Sequence, residues 1–554
     1  MLPEFKHYES FEEFSGQYAV DVPPDYNFAF DFLDVAAKAD PSRPAMVHVG
    51  PDGTRRDLDL AFFSQGSSRL ANAFKALGIS KGDKVMIVLQ RRVEFWVAVL
   101  ALNKLGAVPV PSPHLLTAHD VEFRVNKAGI KACVAEEDFM ERVDAVKAAC
   151  PTLKHLIRVG EKPALPGWHA YEALEAASSP EFPRPADSAG GDDVMFIFFS
   201  SGTTGMPKMV VHNHKYPLGH TTTGVYWHDL RPGDLHLTVA DTGWAKSMWG
   251  KFFGQWIAGG CVFTWDYRGK FVPAELLQVI ADHGVTVFCA PPTIYRFLIR
   301  EDLTKFDLSK LRHCTTAGEL LNEGVFHAWK KATGLTIFEG YGQTETTLQI
   351  AAFPNMPVRP GSIGKPCPGW DIVLLDAKGH VCPPGEEGEI CIRLGDGKTL
   401  GLFEGYLYEP EKTASVLFGG YYHTGDKAWR DEDGYFWFLG RNDDLIKSSG
   451  YRIGPFEVES ALITHPAVIE AAVTGVPDAE RGQAVKATLV LAPGYEPSPE
   501  LVKEIQNHVK SVTAPYKYPR IVEFLPELPK TISGKIKRAE IRAKDEGKGP
   551  GSQP

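Results

Sequence analysis

The segment Val194–His212 reads VMFIFFSSGTTGMPKMVVH and holds a polar, glycine-containing loop between two apolar runs that predict strands. The glycines allow backbone N–H groups to converge on an anion, the hydroxyls add donors, and Lys208 adds charge, which suits a triphosphate. A polar hairpin without a ligand is the alternative. Because the spacing is Gly-x-x-Gly-x-x-Lys with no Ser or Thr after the lysine, P-loop ATPase chemistry is disfavoured. This phosphate loop consists of Ser200, Ser201, Gly202, Thr203, Thr204, Gly205, Met206, Pro207 and Lys208.

Strand and helix patterns alternate on both sides of the loop. Strand-like Val85–Leu89, helix-like Val93–Leu105 and strand-like Ala107–Val110 predict a βαβ unit. The alternation returns after Pro273, and the Pro-, Ser- and Gly-rich stretch Ser178–Asp193 predicts a linker between two such regions. The fold class expected from this pattern is therefore α/β.

Short β-rich pieces follow Ile363, and beyond Arg441 a helix-like stretch, Pro455–Thr464, precedes two further strand patterns. We therefore predict a large N-terminal domain over residues 1–441, made of two α/β sheet regions and a small β subdomain. A small, mobile α+β C-terminal domain is expected over residues 442–545, and a disordered tail over residues 546–554.

The composition narrows the possible functions. The 554 residues are 44% hydrophobic and 23% charged, as in globular proteins with more than one domain, and the net charge of -10 argues against nucleic acid as a partner. The longest apolar runs are too short for a membrane span, so we expect a soluble protein. Because no secretory, peroxisomal or lipidation signal is visible, a cytoplasmic location is expected. The eight dispersed cysteines contain no Cys-x-x-Cys pair, which disfavours a disulfide framework and a zinc site.

Three further strings carry groups suited to a nucleotide. In Gly340–Thr346, Thr344 can donate to a phosphate and Glu345 is a hard oxygen ligand for Mg²⁺. Asp426, in a Thr-Gly-Asp turn, can bind both hydroxyls of a ribose, with Arg441 nearby. Lys535, on a Ser-Gly turn near the end of the chain, can neutralise charge as a phosphoanhydride bond breaks. Taken singly, each string is explained as well by a polar turn, a capping residue or a basic tail.

In this order and over this length, the four strings resemble the adenylate-forming superfamily, which contains acyl-CoA synthetases, peptide-synthetase adenylation domains and luciferases. The resemblance extends from about Asn27 to Arg542 and makes residues 1–441 the AMP-binding, adenylating domain and residues 442–545 its lid. It implies ATP bound by the phosphate loop, Mg²⁺ bound by Glu345, and Asp443 as the hinge between domains. It assigns an adenine-binding turn to Gly318, Glu319, Leu320, Glu339, Gly340, Tyr341, Gly342 and Gln343. The catalytic set that it implies is Lys208, Thr344, Glu345, Arg452 and Lys535.

Within the superfamily, Asp241–Trp244 and Ser448–Pro455 are similar to short- and medium-chain acyl-CoA synthetases, which implies CoA as the acceptor. By the same resemblance, CoA would contact Ser449, Gly450, Tyr451, Arg481 and Tyr518. Acetate-specific relatives place a tryptophan at the position of Gly342, so its absence here predicts a pocket for a longer or branched acid, with Trp244 as another wall.

The expected reaction joins a carboxylic acid to CoA through an acyl-adenylate, releasing AMP and pyrophosphate. No protein nucleophile is needed, because catalysis rests on positioning and charge neutralisation. Three alternatives remain: an aryl (benzoate-type) CoA ligase, an adenylating enzyme with an acceptor other than CoA, and a non-catalytic nucleotide-binding protein. The acid and the oligomeric state are left open.

Overall fold

The computed structural model of the protein describes residues 5–200, 207–395, 399–441, 444–449, 451–478, 480–531 and 535–545. Within these ranges the strands form five sheets, two of them mainly parallel. The predicted tail and the predicted hinge residue Asp443 lie outside the described residues.

The first α/β region contains a five-stranded, all-parallel sheet. Its strands, in spatial order, are Val108–Pro111, Lys84–Val88, Ile130–Glu136, His155–Val159 and Trp168–Ala170. Helix Glu94–Leu105 connects Lys84–Val88 to Val108–Pro111 and is buried from Phe95 to Lys104. Gly106 ends this helix in the left-handed region, which glycine adopts without strain. The predicted βαβ unit is confirmed.

The second α/β region contains a nine-stranded sheet whose six central strands are parallel. Its strands, in spatial order, are Lys365–Pro366, Ile350–Ala351, Ile337–Tyr341, His313–Ala317, Val287–Cys289, Leu235–Thr238, Cys261–Trp265, Pro44–Val49 and Arg55–Asp59. Parallel strands need long crossover connections, which the intervening helices provide.

The largest apolar core joins the two regions. It contains Val85 and Ile87 of the first sheet, Met46 and Val262 of the second, and the buried helix Glu94–Leu105. The other helices of residues 5–441 are Phe11–Gln17, Val35–Ala39, Leu60–Ala76, Ala118–Ala128, Met140–Asp144, Tyr171–Ala176, Tyr216–Thr221, Lys246–Gly250, Phe253–Ile257, Pro273–His283, Pro292–Leu298, Glu323–Thr333 and Pro410–Ala414, with π-helical turns at Phe28–Asp34 and Thr222–Trp227 and 3₁₀ turns at Lys147–Ala149 and Leu303–Lys305.

Two antiparallel sheets complete the large part of the chain. A three-stranded sheet carries the phosphate loop and consists of Gly405–Tyr406, Lys208–Asn213 and Val194–Ser200. A five-stranded sheet, which we call the small β-sheet, consists of Ile372–Leu375, Glu387–Arg393, Tyr421–Arg430, Leu417–Phe418 and Phe436–Arg441. The small β subdomain predicted from the sequence is therefore present.

The residues after Arg441 form a compact α+β unit with its own apolar core. Its strands are Ile446–Ser448, Tyr451–Ile453, Val468–Asp478, Gly482–Leu491 and Ile521–Phe524, and its helices are Pro455–Ile463, Pro499–Val512 and Arg538–Asp545, with a 3₁₀ turn at Pro515–Lys517. Proline at the first helical position favours the start of two of these helices. The predicted α/β fold class is confirmed, whereas the residue that divides the two domains stays a prediction.

All eight cysteines are buried and unpaired, as expected from their dispersed positions. Among the helices that the structure describes, none is both long and apolar enough to cross a membrane.

Candidate active site

The carboxyl ends of three parallel strands in the nine-stranded sheet carry three of the predicted strings. Leu235–Thr238 precedes Asp241–Trp244, His313–Ala317 precedes the turn Gly318–Leu320, and Ile337–Tyr341 precedes Gly342–Glu345. Ligands of open α/β sheets bind at the carboxyl ends of the strands. The topology therefore places these segments along one edge, where a nucleotide can contact several of them.

The phosphate loop joins two antiparallel strands, with Ser200 paired to Lys208 across its base. The ammonium group of Lys208 lies 4.8 Å from the ring centre of Tyr406 and 3.4 Å from its hydroxyl oxygen. Burial lowers the pKa of Lys208, as do the charges of Lys412 and Arg441, whereas Glu345 and Glu409 raise it. The positive charge of Lys208 therefore lies close to Glu345.

Glu345 is held by the same tyrosine. The hydroxyl of Tyr406 donates to Glu345 Oε1 at 2.9 Å, and the backbone carbonyl of Glu345 accepts from the N–H of Phe403 at 2.8 Å. A carboxylate oriented in this way offers hard oxygen ligands for Mg²⁺. The backbone of the preceding residue, Thr344, is fixed by a buried histidine, because its carbonyl accepts from His212 Nε2 at 2.7 Å.

Asp426 lies in a hydrogen-bonded group on the small β-sheet. The hydroxyl of Tyr341 and the amide of Gln343 both donate to Asp426 Oδ2, at 2.6 and 2.7 Å. Asp426 Oδ1 lies 3.7 Å from Nε of Arg441, which is opposite Asp426 in the strand register. Burial raises the pKa of Asp426, whereas Arg441, Tyr341, Gln343 and Lys535 lower it. The arrangement joins the Gly340–Thr346 string to the predicted ribose-binding residues.

The predicted adenine-binding turn combines a glycine with a positive φ and a buried acid. Gly318 has a φ of 98°, and a side-chain carbon there would lie 3.2 Å from the ammonium nitrogen of Lys246. Glu339 is 5% exposed, and its Oε1 accepts the backbone N–H of Leu321 at 3.0 Å. Burial raises the pKa of Glu339 to about 8, so the side chain is largely uncharged at neutral pH. Glu319 accepts from the hydroxyl of Thr293 at 2.7 Å.

Lys535 reaches this site from the C-terminal unit. Desolvation lowers the pKa of Lys535, and so does Arg441, whereas Asp426, Glu319 and Glu345 raise it. The charges that shift the pKa of Lys535 thus belong to predicted nucleotide-binding residues, while the residue itself is exposed to solvent.

The C-terminal unit is also joined to the large part of the chain by a hydrogen bond from the side chain of Asn322 to the carbonyl of Ser460, at 3.0 Å. Asn322 begins the helix Glu323–Thr333, and Ser460 lies in the helix Pro455–Ile463. The bond therefore connects the two parts of the protein in the arrangement that brings Lys535 to the site.

The space beside Gly342 is filled by an indole ring, but from an unexpected residue. A side-chain carbon at Gly342 would lie 2.4 Å from Cη2 of Trp249 and 2.6 Å from the carbonyl oxygen of Thr347. Trp244 is half-buried in the loop that precedes the helix Lys246–Gly250. The size of a pocket at this position therefore depends on Trp249, and the assignment of Trp244 as a wall stays a prediction.

The residues predicted to contact CoA lie on the C-terminal unit. The backbone N–H of Ser449 donates to the carbonyl of Arg481 at 2.9 Å, and Ser449 has a φ of 50°. Tyr451 is half-exposed and stacks on Tyr516 with ring centres 4.1 Å apart. Tyr518 lies under two cations, with the ammonium nitrogen of Lys510 4.0 Å from its ring centre and Arg520 4.8 Å away. An exposed aromatic pair and several cations thus share this unit.

Several predicted residues lie outside the described part of the chain, namely Ser201, Gly202, Thr203, Thr204, Gly205, Met206, Asp443 and Gly450. The backbone of Arg452 pairs with Lys447. The sequence reasoning missed His212, Lys246, Trp249 and Tyr406, which support or border the site. No short motif marks these four residues, because each one contacts a string that is distant from it in the sequence.

Comparisons with known proteins define the family. The AMP-binding enzyme family matches residues 33–407, and the AMP-binding enzyme C-terminal domain matches residues 457–535. Acyl-coenzyme A synthetase ACSM3, mitochondrial, of Mus musculus is 42% identical over 98% of this chain and 94% of its own length. Acyl-coenzyme A synthetase ACSM5, mitochondrial, of Rattus norvegicus is 43% identical over 95% of this chain and 92% of its own length.

Among solved structures, the anthranilate CoA ligase AuaEII in complex with anthranoyl-AMP has a TM-score of 0.86 and 32% identity, over 95% of this chain and 98% of its own. A benzoate CoA ligase from Burkholderia xenovorans LB400 has a TM-score of 0.79 and 27% identity, over 93% of this chain and 100% of its own. The chain therefore belongs to the AMP-binding enzyme family of adenylate-forming proteins.

Within that family it is an acyl-CoA synthetase, an enzyme of the acid–thiol ligase class. The resemblance read from the four strings is thus confirmed. The expected cytoplasmic location is wrong, because the relatives of 42–43% identity are named as mitochondrial. The expectation rested on signal motifs alone, which do not distinguish the cytoplasm from other compartments.

Proposed function

We propose that this acyl-CoA synthetase activates a short- or medium-chain or branched acid larger than acetate. The proposed site rests on the charged side chains of four residues, which come from four parts of the chain and influence one another's pKa values: Lys208, Glu345, Asp426 and Lys535. Charges of both signs that come together in one region suit a substrate with a triphosphate and a ribose.

In the first step, a carboxylate oxygen of the acid forms a bond to the α-phosphorus of ATP. The bond from that phosphorus to the bridging oxygen breaks, and pyrophosphate leaves with the electron pair. Lys208 and Lys535 stabilise the negative charge that develops on the phosphates. In the second step, the CoA sulfur bonds to the acyl carbon, AMP leaves with the electron pair, and the thiol proton goes to solvent.

Mg²⁺ is proposed to bind at Glu345, whose carboxylate is oriented by Tyr406. Oxygen ligands of this kind fit the ion, which when bound adds positive charge next to the phosphates. Asp426 is proposed to accept both ribose hydroxyls, with Arg441 beside it. Gly318–Leu320 and the residues from Glu339 to Gln343 are proposed to surround the adenine.

The proposed size of the acid rests on Gly342 and Trp249. Glycine contributes no side chain at the position where acetate-specific relatives carry tryptophan, and the indole ring of Trp249 lies against it instead. We propose that Trp249 ends the acyl pocket. The relatives of 42–43% identity are acyl-coenzyme A synthetases by name, which supports CoA as the acceptor of the acyl group.

An aryl acid is the second candidate, because the anthranilate CoA ligase shares the fold at a TM-score of 0.86. A panel of acetate, butanoate, 2-methylbutanoate, hexanoate, octanoate and benzoate distinguishes the two, with thioester formation from ATP and CoA as the readout. The highest kcat/KM for a four- to eight-carbon aliphatic acid supports the proposal. The highest value for benzoate supports the second candidate, and the highest value for acetate contradicts both.

CoA is proposed to bind along the face of the C-terminal unit that carries Tyr451 and Arg481. Backbone hydrogen bonds from Arg481 and Glu480 lower the pKa of Asp478 most, and the charges of Arg481 and Arg520 lower it further. Arg520 therefore lies near this face. The exposed aromatic pair can stack on an adenine, and the arginines can bind phosphates. Because Lys535 belongs to the same unit, one unit is proposed to serve both half-reactions in turn, with Asp443 as the hinge.

Lys535→Ala tests the division of labour. We expect pyrophosphate exchange with ATP to fall about 100-fold or more, because one cation is lost from the developing charge. Thioester formation from supplied acyl-adenylate and CoA should persist. Lys537→Ala is the matched control, since Lys537 is exposed and pairs with Glu540 at 3.3 Å. Equal loss of both half-reactions in Lys535→Ala would refute the assignment.

A further inference from the structure

Three side chains of different chemistry meet on the small β-sheet. Glu389 and Cys391 lie two positions apart on the strand Glu387–Arg393, and His423 is opposite Cys391 on the strand Tyr421–Arg430. One ligand atom from each lies within 4.8 Å of the others. Among the residues that the structure describes, this is the one group of three His, Cys and carboxylate side chains close enough to share a metal ion.

Two of the three separations match those of a tetrahedral zinc site. His423 Nδ1 lies 3.5 Å from the sulfur of Cys391 and 3.2 Å from Glu389 Oε2. With Zn–N near 2.05 Å, Zn–S near 2.3 Å and Zn–O near 2.1 Å, a tetrahedral angle requires about 3.6 Å between N and S and about 3.4 Å between N and O. The two separations that involve His423 therefore lie within about 0.2 Å of the tetrahedral values, and the sulfur and the carboxylate oxygen lie within 4.8 Å of each other.

Neighbouring groups hold the side chains in this orientation. The backbone N–H of Gly425 donates to Glu389 Oε1 at 2.9 Å, which leaves Oε2 facing the histidine. The ring of Phe418 stacks on His423 with centres 3.8 Å apart and planes 1° apart. Ligands whose outer atoms are hydrogen-bonded or packed are typical of metal sites.

The group is sheltered but accessible. Cys391 is fully buried, whereas the side chains of His423 and Glu389 keep 14% and 21% of their surface exposed. An ion can thus enter from the side of His423 and Glu389. A water molecule can complete the shell there, as in zinc sites with three protein ligands.

We propose that Glu389, Cys391 and His423 form a binding site for Zn²⁺ or a similar transition-metal ion. On binding, the thiol of Cys391 loses its proton to solvent, and the ring proton of His423 resides on Nε2, so that Nδ1 donates its lone pair to the metal. The thiolate and the carboxylate neutralise the two charges of the ion. A sulfur ligand favours Zn²⁺ over Mg²⁺, so the site is distinct from Glu345.

The alternative is a hydrogen-bonded group that takes up no metal, with Nδ1–H of His423 shared between the sulfur and the carboxylate. The two differ in one observable. A cobalt ion bound through a thiolate gives a sulfur-to-metal charge-transfer absorption in the near ultraviolet, and a hydrogen-bonded group gives none. The inference concerns metal binding alone and does not depend on the proposed substrate.

The test uses the full-length protein freed of metal by a chelator. Co²⁺ is added first and its absorption recorded, and Zn²⁺ is then titrated by calorimetry. The wild type should show the thiolate band and bind one Zn²⁺ ion. The variants Cys391→Ser and His423→Gln should each bind Zn²⁺ at least about 100-fold more weakly than the wild type. Cys382→Ser is the matched control, because Cys382 is a buried cysteine near the same sheet whose thiol contacts the carbonyl of Glu387 instead.

A wild type without the thiolate band, or Zn²⁺ binding that is unchanged in Cys391→Ser, would overturn the proposal. Circular dichroism and thermal unfolding establish that each variant is folded. If Cys391→Ser does not fold, Zn²⁺ binding to Glu389→Gln tests the proposal in its place. The glutamine keeps an oxygen for the N–H of Gly425 but removes the negative ligand, so weaker Zn²⁺ binding is expected, and unchanged binding counts against the site.

Discussion

Glu339→Gln should make the stability of the protein less dependent on pH. Glu339 is buried and its carboxyl group has a pKa of about 8, compared with an ordinary value of 4.5. In the folded protein the group holds its proton over a pH range where the unfolded chain has released it. The free energy of unfolding therefore decreases as the pH rises from about 4.5 to about 8.

The size of the effect follows from that shift of pKa. One pKa unit corresponds to about 1.4 kcal/mol, so the buried acid destabilises the wild type by about 1 kcal/mol at pH 5, about 3 kcal/mol at pH 7 and about 5 kcal/mol at pH 9. Glutamine resembles the protonated acid in shape and still accepts the N–H of Leu321. It has no proton to release in this range.

The assay is equilibrium urea unfolding at pH 5, 7 and 9, followed by tryptophan fluorescence. The stability difference between Glu339→Gln and the wild type should increase by about 4 kcal/mol from pH 5 to pH 9. Ile337→Val, a buried position on the same strand, is the control and should destabilise by about 1 kcal/mol at every pH. A difference for Glu339→Gln that does not vary with pH would refute the reasoning.

Three further predictions concern the site. Tyr406→Phe removes the hydrogen-bond donor to Glu345 and should raise the Mg²⁺ concentration for half-maximal activity about 10-fold. The control Tyr408→Phe changes an exposed tyrosine and should leave that concentration unchanged. Equal shifts in both variants would contradict the role of Tyr406. Trp249→Leu opens the space beside Gly342. For acids one or two carbons longer than the preferred acid, kcat/KM should rise about 10-fold relative to that of the preferred acid. An unchanged chain-length profile would show that Trp249 does not end the pocket. Asn322→Asp keeps the side-chain oxygen that caps the helix but loses the donor to the carbonyl of Ser460. Pyrophosphate exchange should therefore fall about fivefold relative to thioester formation from acyl-adenylate. An unchanged ratio of the two rates would argue against a role for this hydrogen bond.

The sequence predicted the parts of the site whose chemistry lies in short strings. Lys208, Glu345 and Asp426 each stand in a motif with glycines and hydroxyls, and the α/β class followed from alternating patterns. Tyr406 contacts Glu345 from 61 residues further along the chain, and Trp249 reaches Gly342 from another segment. Such pairs depend on how sheets pack, which no local pattern encodes. The group at Glu389, Cys391 and His423 was missed for the same reason, because strand register rather than spacing brings it together.

The phosphate loop is followed directly by the strand Lys208–Asn213, so no helix begins at its end. Many nucleotide sites use the partial positive charge at a helix N-terminus to hold phosphates. In the proposed site the charge comes from side chains, and Lys535 is proposed to contribute its share when the C-terminal unit is docked. That proposal makes nucleotide affinity and docking thermodynamically linked: ATP should stabilise the docked arrangement, and any change that undocks the unit should weaken ATP binding by the same factor.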